Sequence, residues 1–161
     1  APAAGVVVVQ ATAQAGLSGT TNPNFMAFQI DTTEGGALEA MLLPFKLGAG
    51  GPLGSGKQWW SWIHVDDLVR MFLTAIDEGW TGAWNATAPE PERQARFAKA
   101  LGRALGRPAI LPAPAFALRL ILGEFSTELL SGKRVLPRRA RQAGFAWRFE
   151  RLDDALADLV G

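Results

Sequence analysis

Trp59-Trp-Ser-Trp-Ile-His-Val65, followed at once by Asp66-Asp67 and by Leu68-Val-Arg-Met-Phe-Leu-Thr-Ala-Ile-Asp77, decides the fold class. The first seven residues are aromatic and β-branched enough for a strand, and Asp66 or Asp67 can cap a helix running to about Asp77. Immediately upstream, Gly48–Gly56 holds five glycines and a proline in nine residues, so it must be a loop. Before that loop, Leu38, Met41, Leu42 and Phe45 recur at helical spacing and predict a helix over Ala37–Phe45, limited by Pro44. Phe25–Ile30 can form a short strand after a Gly/Ser/Thr/Asn/Pro loop at Gly16–Asn24. Val6–Val9, running on into Gln10–Ala13, suits a strand buried on both faces, which implies a parallel sheet.

Downstream, Trp84–Thr87 reads as another short strand, followed by a loop at Pro89 and Pro91. A helix is expected from Glu92 to about Leu105, with Phe97, Ala98, Leu101 and Leu105 on one side and Arg93, Arg96, Lys99 and Arg103 mostly on the other. Gly106 ends it. Ile110-Leu111 is a brief extended segment, Phe116–Leu122 and Glu124–Leu130 are short helices, and Leu152–Val160 is an amphipathic helix opened by Asp153-Asp154. Alternating strands and helices are the mark of an α/β layer fold.

The 161 residues are 48% hydrophobic and 19% charged, enough apolar material for a core. A formal net charge of +1 gives no global attraction to nucleic acid or to an anionic membrane. The absence of cysteine excludes disulfides, a thiolate nucleophile and Cys-ligated metal, and one histidine excludes a multi-histidine metal site. No metal site is expected. Tyrosine is also absent, which removes one acid/base residue. The N-terminal residues carry no targeting signal, Ala113–Leu122 is too short to span a membrane, and the expected location is cytoplasmic.

Gly51-Pro-Leu-Gly-Ser-Gly56-Lys57 matches seven positions of a phosphate-cradling loop, but Gln58 stands where Ser or Thr must hold Mg²⁺. The strand–loop–helix context is missing as well, so the stretch reads as a mobile connection beside a binding cleft. His64, within an apolar strand, reads as a core or strand-end histidine rather than a catalytic base. Asp66 and Asp67 point about 100° apart on a helix start, which suits capping and not proton sharing. Lys133, Arg134, Arg138, Arg139, Arg141, Arg148 and Arg151 place seven of the sixteen basic residues in nineteen positions. With Phe145, Trp147 and Phe149 among them, they read as a packed segment with a solvated basic edge, and nucleic acid is not the expected partner.

From Gly35 onward the chain resembles the C-terminal portion of an NAD(P)-dependent epimerase/dehydratase family within the extended short-chain dehydrogenase/reductase superfamily, of the sugar-nucleotide epimerase or "cell-division inhibitor" type. Gly-Gly-Ala-Leu at 35–38, Pro-Phe-Lys-Leu-Gly at 44–48, Gly-Gly-Pro-Leu-Gly-Ser-Gly at 50–56 and Trp-Ser-Trp-Ile-His-Val-Asp-Asp-Leu at 60–68 carry the resemblance. Asn-Ala-Thr-Ala-Pro-Glu-Pro at 85–91, Phe-Ala-Lys-Ala-Leu-Gly-Arg at 97–103, Arg-Val-Leu-Pro at 134–137 and Ala-Gly-Phe at 143–145 extend it. It implies an incomplete Rossmann-type parallel sheet over residues 1–90 and a small, mainly helical substrate-binding domain over 91–161. It also implies that Lys57, Gln58 and Trp59 face a small-molecule ligand, that the strand carrying His64 borders the cleft, and that Asn85 orders the loop after its own strand. Thr12 falls where the family places a hydroxyl-binding Ser or Thr.

The departures from the family pattern bear on activity. No Gly-rich turn for a dinucleotide precedes these blocks, and Gly16, Leu17 and Ser18 stand where Tyr-Tyr-Gly is usual. A Tyr-x-x-x-Lys proton donor cannot exist in a chain without tyrosine. The expectation is a truncated or degenerate epimerase-like protein, inactive as this chain alone and with no catalytic residue of its own. NAD(P) is expected for the complete family fold but not for this chain, which would self-associate or pair with a missing N-terminal half. The competing functions are a non-catalytic interaction or regulatory module, and a nucleic-acid binder acting through residues 133–151.

Overall fold

The computed structural model describes residues 6–9, 36–122, 130 and 132–160. In chain order the elements are β1 (Val6–Val9), α1 (Gly36–Lys46), β2 (Trp59–His64), α2 (Val65–Asp77), β3 (Glu92–Arg93), α3 (Gln94–Ala104), α4 (Ala115–Leu122), α5 (Arg138–Gln142) and α6 (Leu152–Val160). The expected loop at 16–24, strand at 25–30 and helix at 124–130 lie outside the described residues, apart from Leu130. Among the described residues no helix is long and apolar enough to cross a membrane.

β2 is the middle strand of a three-stranded sheet, between β1 and β3. Both pairings are antiparallel, with Val6 opposite His64 and Val9 opposite Ser61 on one side, and Trp59 opposite Arg93 on the other. The parallel direction expected for Val6–Val9 is therefore not what the described ladder adopts. An unbroken aliphatic run reports burial on both faces, whereas strand direction depends on how the connecting chain returns. Trp84–Thr87 forms no ladder either. That segment instead runs into one bonded beside β2, through Ala88 N–H to the Trp62 carbonyl (2.6 Å) and the Trp62 indole N–H to the Glu90 carbonyl (2.9 Å). Because Glu92 and Arg93 are used as β3, α3 begins at Gln94 rather than at Glu92. Pro44 sits inside α1, which ends two residues later.

The pleat of β2 sorts its side chains. Trp60 and Trp62 point into one core with Phe45, with Phe97 and Leu101 of α3, and with Phe149, Leu152 and Leu156. Trp60 meets Phe97 edge to face at 5.1 Å. Residues on both sides of position 90 share this core. On the opposite face Ile63 packs with Leu68 and Met71 of α2, Ala86, Ala140 and Phe145.

Neither aspartate caps α2. His64 does, its Nδ1 accepting the Asp66 N–H at 3.1 Å. Asp67, fully buried, instead accepts the N–H groups of Arg148 and Phe149 at 2.8 Å each and an Arg70 guanidinium N–H at 2.8 Å. This clasp fixes the segment that leads into α6. In the first turn of α6, Asp153 is held by Arg96 and Arg103 of α3. Hydrogen bonding from Arg96, and secondarily from Arg103, holds the Asp153 carboxyl down at about 2.

The glycine-rich loop is pinned, not a free connection. Gln94 Oε1 accepts the Leu53 N–H (2.8 Å) and Gln58 Nε2 donates to the Leu53 carbonyl (3.0 Å). Leu53 also bridges to Ala113, whose carbonyl accepts the Gly54 N–H at 2.8 Å. The glycines permit this closeness: a Cβ on Gly50 would fall 2.4 Å from the Phe45 ring, and one on Gly51 would fall 2.1 Å from the Leu111 carbonyl oxygen.

Three outcomes follow from these contacts, each read by chemical or thermal denaturation. Leu101→Ala, which empties a fully buried site, is expected to cost on the order of 2–5 kcal/mol, whereas Arg103→Ala leaves Arg96 on Asp153 and should cost no more than about 1 kcal/mol. Gly51→Ala is expected to destabilise by roughly 1–3 kcal/mol through overpacking against the backbone of Leu111. A depressed carboxyl pKa contributes stability above its unfolded value, 3.8, and loses it as pH falls. The stability difference between the wild-type chain and Asp153→Asn should therefore be full at neutral pH and fade between about pH 4 and pH 2.

Candidate functional site

The site forms at the N-terminal end of β2, where the pinned loop hands over to the sheet. Trp59, partly exposed, is opposite Arg93 in the β2–β3 ladder. The Arg93 guanidinium lies 3.8 Å from the Trp59 ring centroid, and Arg134 lies 5.1 Å from it. Arg93 Nη1 also donates to the Lys57 carbonyl, which holds the guanidinium over the indole. The chain carrying Arg134 is fixed to β2 by Ser61, whose hydroxyl donates to the Lys133 carbonyl (3.1 Å) and accepts the Val135 N–H (3.0 Å). Gly132 is needed for this approach, since a Cβ there would lie 1.8 Å from the Trp59 carbonyl oxygen.

The residues expected to meet ligand divide into two groups. Lys57 and Trp59 present exposed or half-exposed side chains at this end of β2, beside Gln58, which is buried and donates to Leu53. His64 lies at the other end of the strand, 2% exposed and stacked on Phe149 at 4.0 Å. Since its Nδ1 accepts the Asp66 N–H, the ring proton is assigned to Nε2, which lies 3.5 Å from Asp158 Oδ2. It is a strand-end and capping histidine, as the apolar strand around it suggested. Asn85, exposed, donates to the Leu136 carbonyl at 3.1 Å and so ties its segment to the chain ahead of α5. Thr12 lies outside the described residues. Arg93 and Arg134 were not singled out from sequence as ligand residues, because only the ladder register brings them to the same indole.

Four of the basic residues after residue 132, though exposed, are engaged by the protein's own groups. Arg139 donates to the carbonyls of Ala83 and Thr81, and Arg141 to that of Pro89. Arg148 faces Asp66 and Arg151 faces Asp154. Among the described residues no group of three His, Asp or Glu side chains could hold a metal ion.

The glycine-rich loop does not fit a dinucleotide. A pyrophosphate needs backbone N–H groups free to converge on it. Here the Leu53, Gly54 and Gly56 N–H groups go to Gln94, Ala113 and Leu53, and the space beside Gly50 and Gly51 is filled by protein.

Residues 7–86 match the NAD dependent epimerase/dehydratase family, and residues 113–159 match a domain of unknown function, DUF1731. The chain is 48% identical over 128 residues to the chloroplastic homolog of epimerase family protein SDR39U1 from Arabidopsis thaliana, an alignment covering 79% of this chain and 37% of that one. It is 47% identical over 130 residues to an epimerase family protein of Staphylococcus aureus, covering 80% of this chain and 43% of that one. Among solved structures it is similar to human epimerase family protein SDR39U1 (isoform 2) with NADPH, at a TM-score of 0.75 and 39% identity, over 80% of this chain and 44% of that chain. It is also similar to the nucleoside-diphosphate sugar epimerase from Corynebacterium glutamicum, at a TM-score of 0.55 and 28% identity, over 75% of this chain and 23% of that one. The chain thus spans less than half the length of these relatives. Its mixed strands and helices are an incomplete α/β fold of Rossmann type, and by these matched regions the chain belongs to the NAD-dependent epimerase/dehydratase family.

Proposed function

We propose that this chain supplies the substrate-binding portion of an NAD(P)-dependent epimerase/dehydratase-type enzyme, and that it is catalytically inactive alone. The observation that carries this reading is the likeness to the human NADPH-bearing structure, extensive in this chain yet confined to 44% of that one. The chemistry agrees. No tyrosine is present to act as proton donor, and the glycine-rich loop is occupied by its own protein contacts. What the chain does offer is a rigid strand end with Lys57 and Trp59 exposed to a small ligand, backed by the Gln58–Leu53–Gln94 hydrogen bonds. Fixing a ligand against such a backed surface is the part of catalysis that positioning supplies.

The second helix supports a partner portion. α2 buries Leu68, Met71 and Ala75 on one side, yet Val69, Leu73 and Ile76 stand exposed on another. A helix apolar on both sides belongs between two layers. In this reading the nucleotide-binding portion covers that stripe, and without it the chain self-associates.

NADPH titrated into the purified chain should give no saturable binding, whether followed by calorimetry or by tryptophan fluorescence. Co-expression with the N-terminal portion of the Staphylococcus aureus relative should give a copurifying complex that binds NADPH in the micromolar range, and Leu73→Glu should weaken that complex. Micromolar NADPH binding by the chain alone would overturn the proposal.

A further inference from the structure

We draw no further inference here: the strongest candidate, the exposed apolar surface patch of Ile110, Leu111, Phe116 and Leu120 on α4 and the segment leading into it, carries nothing because nothing in the structure shows what covers it.

Discussion

A carboxyl group with no exposed surface must have its acceptor positions filled, and the way Asp67 fills them organises the molecule. Both its oxygens are taken by backbone N–H groups 81 and 82 residues away, at Arg148 and Phe149, and one of them also by the Arg70 guanidinium in its own helix. The start of α2 is thereby joined to the segment entering α6. Once that segment is placed, Phe149 lies under His64, and Leu152 and Leu156 reach the face of α3 that carries Phe97 and Leu101. The Asp153 pairs with Arg96 and Arg103 then close the outer edge of the same helix packing. Leaving the partners of such a carboxylate unpaired is more costly than losing any exposed ion pair, which is why the clasp and not the surface charges sets the arrangement.

β2 converts this framework into a site. Its alternation sends Trp60 and Trp62 into one core and Ile63 into the other, so the strand is anchored on both faces along most of its length. At its first residue the anchoring ends, and Trp59 meets arginines instead of aliphatic side chains. The loop that precedes it is held through Leu53 by two glutamines, one on the loop side of β2 and one in the first turn of α3. Rigid support under an exposed aromatic–cationic end is the requirement for a binding surface that spends little entropy on ordering itself.

The same economy separates this portion from cofactor chemistry. In residues 50–56 glycine serves close backbone packing, against Phe45 and Leu111, and not the cradling of phosphate. A partial phosphate-loop motif and a dense set of glycines therefore point to opposite functions depending on where the N–H groups go, and here they go to the protein.

Periodicity and composition by themselves determined the helices around Ala37–Phe45, Asp66–Asp77 and Leu152–Val160, the helix expected over Glu92–Leu105 apart from its first two residues, the strand at Trp59 and the glycine loop, because each is a local pattern of apolar spacing or backbone freedom. Ordered motif blocks from Gly35 to Phe145 likewise pointed to the family without any coordinates. Strand direction lay beyond such patterns, since an unbroken run of four valines reads the same whichever way it pairs. So did the division of labour between His64 and Asp67: either residue type can cap a helix, and only the approach of residues 148–149 draws the carboxylate inward and leaves the cap to the imidazole. The meeting of Arg93 and Arg134 on Trp59 was decided by tertiary structure alone. They are forty-one residues apart in sequence, and a cross-strand register and a serine hydroxyl, neither of them a local property of the chain, bring them to one ring.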